Sequence, residues 1–315
     1  MLFLRGLFKL LVFLAIGVTA LVVLAACWLL IPTLPEPDFQ SRKGTLLEAR
    51  LTGTWQVEGG RIEELRLRSN TGLEVALSLR IPEIPLPERP LLIMISGQET
   101  GRKAVELLPD PRGVTVAALG YPFGTIPHRD LVALAFALPE IQRGILDIPA
   151  TVMLATDYLA NRPDLDPGRI ELAGISFGAY IAAVPAVLDP RIARLWLIHG
   201  SGDPEGVIYS VMRKRIGNDA ARRAAAWFLA TGAFSHHISP EQWVGLVAPR
   251  PLIVVSAADD STLPLSAVRA LHNALQPPSE VLWSPGDHVH PKRPGTINYI
   301  TGMLFERISG GGEQE

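Results

Sequence analysis

The stretch Arg169-Ile-Glu-Leu-Ala-Gly174-Ile175-Ser176-Phe177-Gly178-Ala179 decides how this chain is read. Ile170–Ala173 is a short continuous apolar run, the pattern of a strand buried on both faces. It leads into Gly-x-Ser-x-Gly, and a helical pattern follows. Strand, tight turn and helix give this pentapeptide its meaning: the serine sits on a strained turn and its hydroxyl projects from the sheet. Glycines two residues to either side let the backbone turn sharply and let helix and strand approach closely. The helix start offers N–H groups without intrahelical partners toward developing negative charge.

Working outward, further apolar runs of the same kind are Leu91–Ile95, Val114–Leu119, Leu195–Ile198, Leu252–Val255 and Val281–Trp283. Helical patterns separate several of them. Ile141, Ile145, Ile148, Val152, Ala155 and Leu159 form one stripe of a helix, which Asn161-Arg162-Pro163 ends. Strands alternating with helices predict an α/β fold with a doubly wound, mostly parallel sheet. Ahead of it, Leu46 to Ile81 alternates polar and apolar residues around Ser69-Asn70-Thr71-Gly72, an antiparallel hairpin. Pro82 to Pro90 is a proline-rich connection. Asp203 to Leu246 is an Ala-rich helical interruption between two strands, a candidate cap.

A serine hydroxyl needs a base to take its proton, and the base needs an orienting carboxylate. Both follow in the order Ser, Asp, His. The run Leu252–Val255 ends in Ser256-Ala257-Ala258-Asp259-Asp260-Ser261-Thr262-Leu263-Pro264. The run Val281–Trp283 ends in Ser284-Pro285-Gly286-Asp287-His288-Val289-His290-Pro291. Asp259 and Asp260 compete for the acid, His288 and His290 for the base. All lie just past a strand's C-terminal end, the edge where open α/β sheets place their sites. A His-x-His pair is also a metal cue, but no third ligand cluster is spaced to complete a site. Neither a metal nor an organic cofactor is expected. His236 and His237 read as a solvated loop, and His128 and His272 carry no motif. His199, beside Gly200-Ser201-Gly202, is a structural histidine or a pocket wall.

The chain here resembles the α/β-hydrolase superfamily, most closely the dienelactone-hydrolase-like and prolyl-oligopeptidase-like serine hydrolases. The resemblance covers roughly Leu46 to Arg307. It rests on Asp166 through Gly178, the Asp-x-x-x-Pro of Asp260 to Pro264, and Pro-Gly-Asp-His at 285–288. It implies Ser176 as nucleophile, His288 as base and Asp260 as orienting acid. The backbone N–H groups of Phe177 and Gln98 would form an oxyanion hole, Gln98 coming from the loop after Leu91–Ile95. Many members have His-Gly where this chain has Ser96-Gly97, which leaves the substrate class open. The block 203–246 falls where members carry a substrate-covering cap. Tyr121-Pro122-Phe123-Gly124 borders the pocket or is a simple turn, and Arg102 reads as a surface arginine. The implied activity is hydrolysis of a small-molecule or lipid carboxylic ester through an acyl-enzyme. Amide or peptide cleavage and acyl transfer use the same triad, and an idle hydrolase fold serving as a binding module is the reading of another class.

Length and composition fit this. With 315 residues, 48 % hydrophobic and 19 % charged, the chain is too apolar for disorder and long enough for a large core. A net charge of −2 offers no basic excess for a nucleic acid. One cysteine excludes an internal disulfide framework and a zinc ribbon. The apolar excess sits at the start. Leu10 to Ile31 carries no charge and would span about 33 Å as a helix, enough for a bilayer core. Arg5 and Lys9 precede it, and Glu36 and Asp38 follow, which favours the N-terminus inside and the domain outside. Residues 1–31 therefore read as a membrane anchor, 32–45 as a linker, 46–308 as the hydrolase domain and 309–315 as a disordered tail. The expected place is a bacterial inner membrane facing the periplasm. The competing reading is a lipoprotein, because Leu24-Ala25-Ala26-Cys27 resembles a lipobox, although Trp28–Ile31 continues the apolar run. Without residues 1–31 the net charge falls to −4, since only Arg5 and Lys9 are lost.

Overall fold

The computed structural model describes residues 2–30, 38–84, 88–124, 131–233 and 235–310. They divide into two units, 1–37 and 38–315. The first holds one helix, α1 (Leu2–Leu30). Its segment Gly6–Ala26 has a mean hydropathy of 2.7 and none of it is buried; this helix is long and apolar enough to cross a membrane. The helix takes in Arg5 and Lys9 as well as the uncharged run. Cys27 falls within it, but its side chain lies outside the described residues, as do Pro32–Pro37 of the expected linker and 311–315 of the expected tail.

The second unit begins eight residues before the expected boundary, with α2 (Phe39–Lys43). Asp38 caps it, its Oδ1 accepting from the N–H groups of Gln40 and Ser41 at 3.1 and 3.0 Å. Phe39 is buried, and Arg42 and Lys43 pair with Asp147 and Asp157. These contacts make 38–45 part of the domain rather than a linker.

The remaining elements are β1 (Leu46–Val57), β2 (Gly60–Ser69), β3 (Glu74–Pro82), β4 (Arg89–Ile95), β5 (Thr115–Leu119), α3 (Leu131–Leu159), β6 (Leu165–Ile175), α4 (Ala183–Leu188), β7 (Ile192–Ile198), α5 (Pro204–Met212), α6 (Asp219–Gly232), α7 (Ser235–Ile238), α8 (Pro240–Trp243), β8 (Leu252–Ala257), α9 (Leu265–Asn273), β9 (Ser279–Ser284) and α10 (Pro294–Gly310). Short 3₁₀ turns occupy Gly101–Leu107 and Ser176–Tyr180. The strands form one sheet in the order β1-β2-β3-β5-β4-β6-β7-β8-β9. The first three strands and β5 pair antiparallel, and β5 through β9 in that order pair parallel. The expected hairpin is β2–β3, with its turn at Ser69–Gly72, and β1 adds a third strand that the reading did not separate. Ser309 and Gly310, expected in the tail, finish α10, and Ser309 donates to the Arg112 carbonyl.

One face of the sheet packs against α10 and the first 3₁₀ turn around Met94, Trp196, Ile198 and Phe305. On α3, the expected stripe from Ile141 to Leu159 is buried throughout. Pro139 and Pro149 lie inside that helix, each at a cost of about 3 kcal/mol. Burial of Ile141, Ile145, Ile148, Val152 and Leu159 at roughly 1.5–3 kcal/mol each outweighs it. Because β5 and β6 lie on opposite sides of β4, the chain reverses direction across the sheet there. A crevice opens at the strands' C-terminal ends at such a point. The loop after β4 and the turn after β6 meet at this crevice.

Candidate active site

Ser176 follows β6 with φ +55, in the left-handed region that a serine adopts only when its surroundings force it. The flanking glycines are required for space rather than for φ. A Cβ on Gly178 would lie 1.9 Å from the Ile95 carbonyl oxygen, and one on Gly174 would lie 2.7 Å from Ala179 Cα. The segment after the serine opens as a 3₁₀ turn before α4, tighter than the expected helix.

Ser176 Oγ lies 2.8 Å from His288 Nε2, and His288 Nδ1 lies 2.8 Å from Asp260 Oδ2. The side chains of His288 and Asp260 are each 8 % exposed. Asp260 Oδ1 also accepts from the N–H groups of Thr262 and Leu263, both at 2.8 Å. Burial pushes the Asp260 carboxyl up, but the hydrogen bonds from His288, Leu263 and Thr262 outweigh it and hold it below the usual carboxylate range. The competing residues stand apart. Asp259 is exposed and engages through its backbone N–H, which donates to the Gly286 carbonyl. His290 is exposed, and its Nδ1 accepts from Lys292 N–H.

Ser176 and His288 open on a pocket of about 290 Å³. Its walls include Met94, Leu107, Leu108, Val289, Ile297 and Ile300, together with Gln98 and Phe177. No described residue of 203–246 lines it. Of the inserted helices, α5 packs on α9, and α8 on α4 and α9. Within them, His236 and His237 lie on the short helix α7 rather than on a loop. Two wider clefts, at the N-terminal edge of β7–β9 and beside β1–β3, have no histidine among their described lining residues. Arg102 pairs with Glu64 at the surface.

Several residues hold the site, and single-sequence reading did not assign them this role. His199, 1 % exposed, accepts the Val289 N–H at Nδ1 (2.7 Å) and so carries its proton on Nε2, toward Ser284 Oγ at 2.8 Å. It is structural, fixing the residue after His288. Burial, and then His288, push its imidazole down to about 4. Asp287 accepts from Ser261 N–H, His288 N–H and Ser261 Oγ and pairs with Arg293, clamping the β8 loop to the β9 loop. These bonds hold its carboxyl well below the usual range. Tyr121 donates to the Ser96 carbonyl, and its ring lies 5.6 Å from that of Phe177. Buried Arg80 donates to the carbonyls of Val105 and Leu108, behind the pocket wall. Most of their partners are far away in sequence, which hides these roles from spacing along the chain.

Among solved structures, the acetyl xylan esterase from Paenibacillus sp. R4 superposes with a TM-score of 0.62 at 15 % identity, over 87 % of this chain and 92 % of that one. Acetyl xylan esterase 1 from Thermoanaerobacterium sp. JW/SL YS485 gives 0.58 at 14 % identity, over 87 % and 94 %. The chain has the α/β-hydrolase fold. The 2,6-dihydroxy-pseudo-oxynicotine hydrolase matches this fold at 0.57 and 18 % identity, over 79 % of this chain and 68 % of that one. No family model matches the sequence, and no curated protein does. In this fold, Ser176, Asp260 and His288 follow β6, β8 and β9 at one edge of the sheet.

Proposed function

We propose that this chain is a membrane-anchored serine hydrolase that cleaves carboxylic esters. The observation that carries the reading is the unbroken line Ser176–His288–Asp260, both links 2.8 Å, at the mouth of a largely apolar pocket. With Nδ1–H donating to Asp260, His288 Nε2 is free to accept the serine proton. Ser176 Oγ attacks the ester carbonyl carbon as its proton passes to Nε2. The N–H groups of Phe177 and Gln98 receive the oxyanion. The tetrahedral intermediate expels the alcohol, which takes the proton from His288. Water then gives a proton to Nε2 and attacks the acyl-enzyme, and the acid leaves with Ser176 restored. The structural neighbours that are named as esterases support an ester as substrate. The apolar α1 supports the anchor, with the domain on the side away from Arg5 and Lys9.

The test is labelling of the full chain with a fluorophosphonate probe. The wild type is expected to label, and Ser176→Ala and His288→Ala are expected to lose labelling. Hydrolysis of p-nitrophenyl esters should fall at least ~10³-fold in Ser176→Ala. A folded wild type that neither labels nor hydrolyses would establish the idle binding module instead.

A further inference from the structure

We propose that the outward face of α6 is a docking surface for an anionic lipid bilayer; this rests on the membrane-anchor reading above. Helix α6 is amphipathic in the wrong sense for a helix that faces water. Its buried side consists of Ala226, Ala230 and Gly232, while Trp227 and Phe228 are 58 % and 41 % exposed. At about 100° per residue, Ala220, Arg223, Ala224, Trp227 and Phe228 fall within roughly 140° of the helix surface. A solvated helix carries polar residues there.

Charge selects the partner. Residues 204–233 hold five basic and two acidic side chains, a net +3 within a chain that is otherwise acidic. Arg222 and Arg223 pair with Asp219. Arg213 and Lys214 are exposed at the turn between α5 and α6. Exposed aromatic rings beside cations are the composition that partitions into the boundary between acyl chains and acidic headgroups. The chain enters the domain at α2. Phe39 of α2 packs edge-on against Trp243 of α8, in the inserted segment, with ring centres 6.2 Å apart. Only residues 31–37 separate α1 from Asp38, at most about 30 Å of extended backbone. A tether of that length keeps an anchored domain within reach of lipid. The patch does not line the pocket at Ser176, so it is not a substrate wall.

The experiment uses the full chain in vesicles of phosphatidylcholine and phosphatidylglycerol, with and without brominated acyl chains. The signals are the emissions lost in Trp227→Phe and in Trp28→Phe. Docking predicts that brominated lipid quenches half or more of the Trp227 emission. It also predicts that quenching weakens in pure phosphatidylcholine and in the double variant Arg213→Glu, Lys214→Glu. Quenched Trp28 with unquenched Trp227 overturns docking and leaves the anchor standing. Release of the chain by an alkaline wash, with neither residue quenched, overturns both. A Trp227 emission that shifts to the blue with protein concentration but stays unquenched overturns docking in favour of a second copy of the chain.

Discussion

At Ser176 the backbone conformation and the chemistry are tied together. A φ of +55 costs a non-glycine residue roughly 1–2 kcal/mol, a strain the glycine-tight packing around the turn imposes. Ser176→Gly and Ser176→Ala both remove the hydroxyl, but only glycine relieves the strain. Ser176→Gly is therefore expected to be about 1 kcal/mol more stable than Ser176→Ala, read from urea midpoints at equal slope. Equal midpoints would show that the turn is unstrained. His199 gives a second residue-level prediction. Its folded pKa is pushed down to about 4, below the ordinary 6.5, so the unfolded chain binds the extra proton between those values. Stability then rises with pH from 4 to 6.5, by as much as ~3 kcal/mol. His199→Gln keeps an acceptor for Val289 N–H without titrating and should flatten that limb of the stability curve. A limb of unchanged slope would remove His199 as its source. Ser176, Asp260 and His288 stand out in the sequence because each follows an apolar run and carries a glycine or proline at a fixed offset. His199 was legible only as a strand-end histidine, since its bonds run to Ser284 and Val289, some ninety residues on.

Among elements, the parallel half of the sheet was readable because its buried strands appear as bare apolar runs. The antiparallel start was harder. β1 is mostly exposed and has no apolar signature of its own, so its pairing with β2 shows only in three dimensions. The same reason hid the clamp between two loops. Asp287 sits inside the motif that marked His288, yet its partners Ser261 and Arg293 come from the β8 loop and the start of α10. Because the clamp fixes the backbone at His288, Asp287→Asn is expected to lower kcat about 10–100-fold, the scale of an ångström-level misplacement. KM for a soluble ester should stay within about twofold, because Asp287 is not among the residues lining the pocket. An unchanged kcat would mean that the bonds of His199 and Arg293 suffice to hold that loop.

For the molecule as a whole, the Ala-rich composition of 203–246 marks helices without saying which surface they cover. Here α5 and α8 settle on α4 and α9, and no described residue of the block lines the pocket. The boundary near residue 38 was likewise blurred, because α2 is short and charged and reads as linker until Phe39, Arg42 and Lys43 find partners on α3 and α8. That placement predicts how the chain divides. A chain starting at Asp38 keeps the helix cap, the Phe39–Trp243 contact and both ion pairs. It is expected to fold, remain in the aqueous phase without detergent, and react with the fluorophosphonate probe at the full-length rate. A chain starting at Thr45 loses the buried Phe39 ring, worth roughly 1.5–3 kcal/mol, and uncovers Trp243. It should therefore unfold at a lower urea concentration than the Asp38 chain. Equal midpoints would return 38–45 to the linker. An insoluble Asp38 chain would show that the domain depends on α1 for more than attachment.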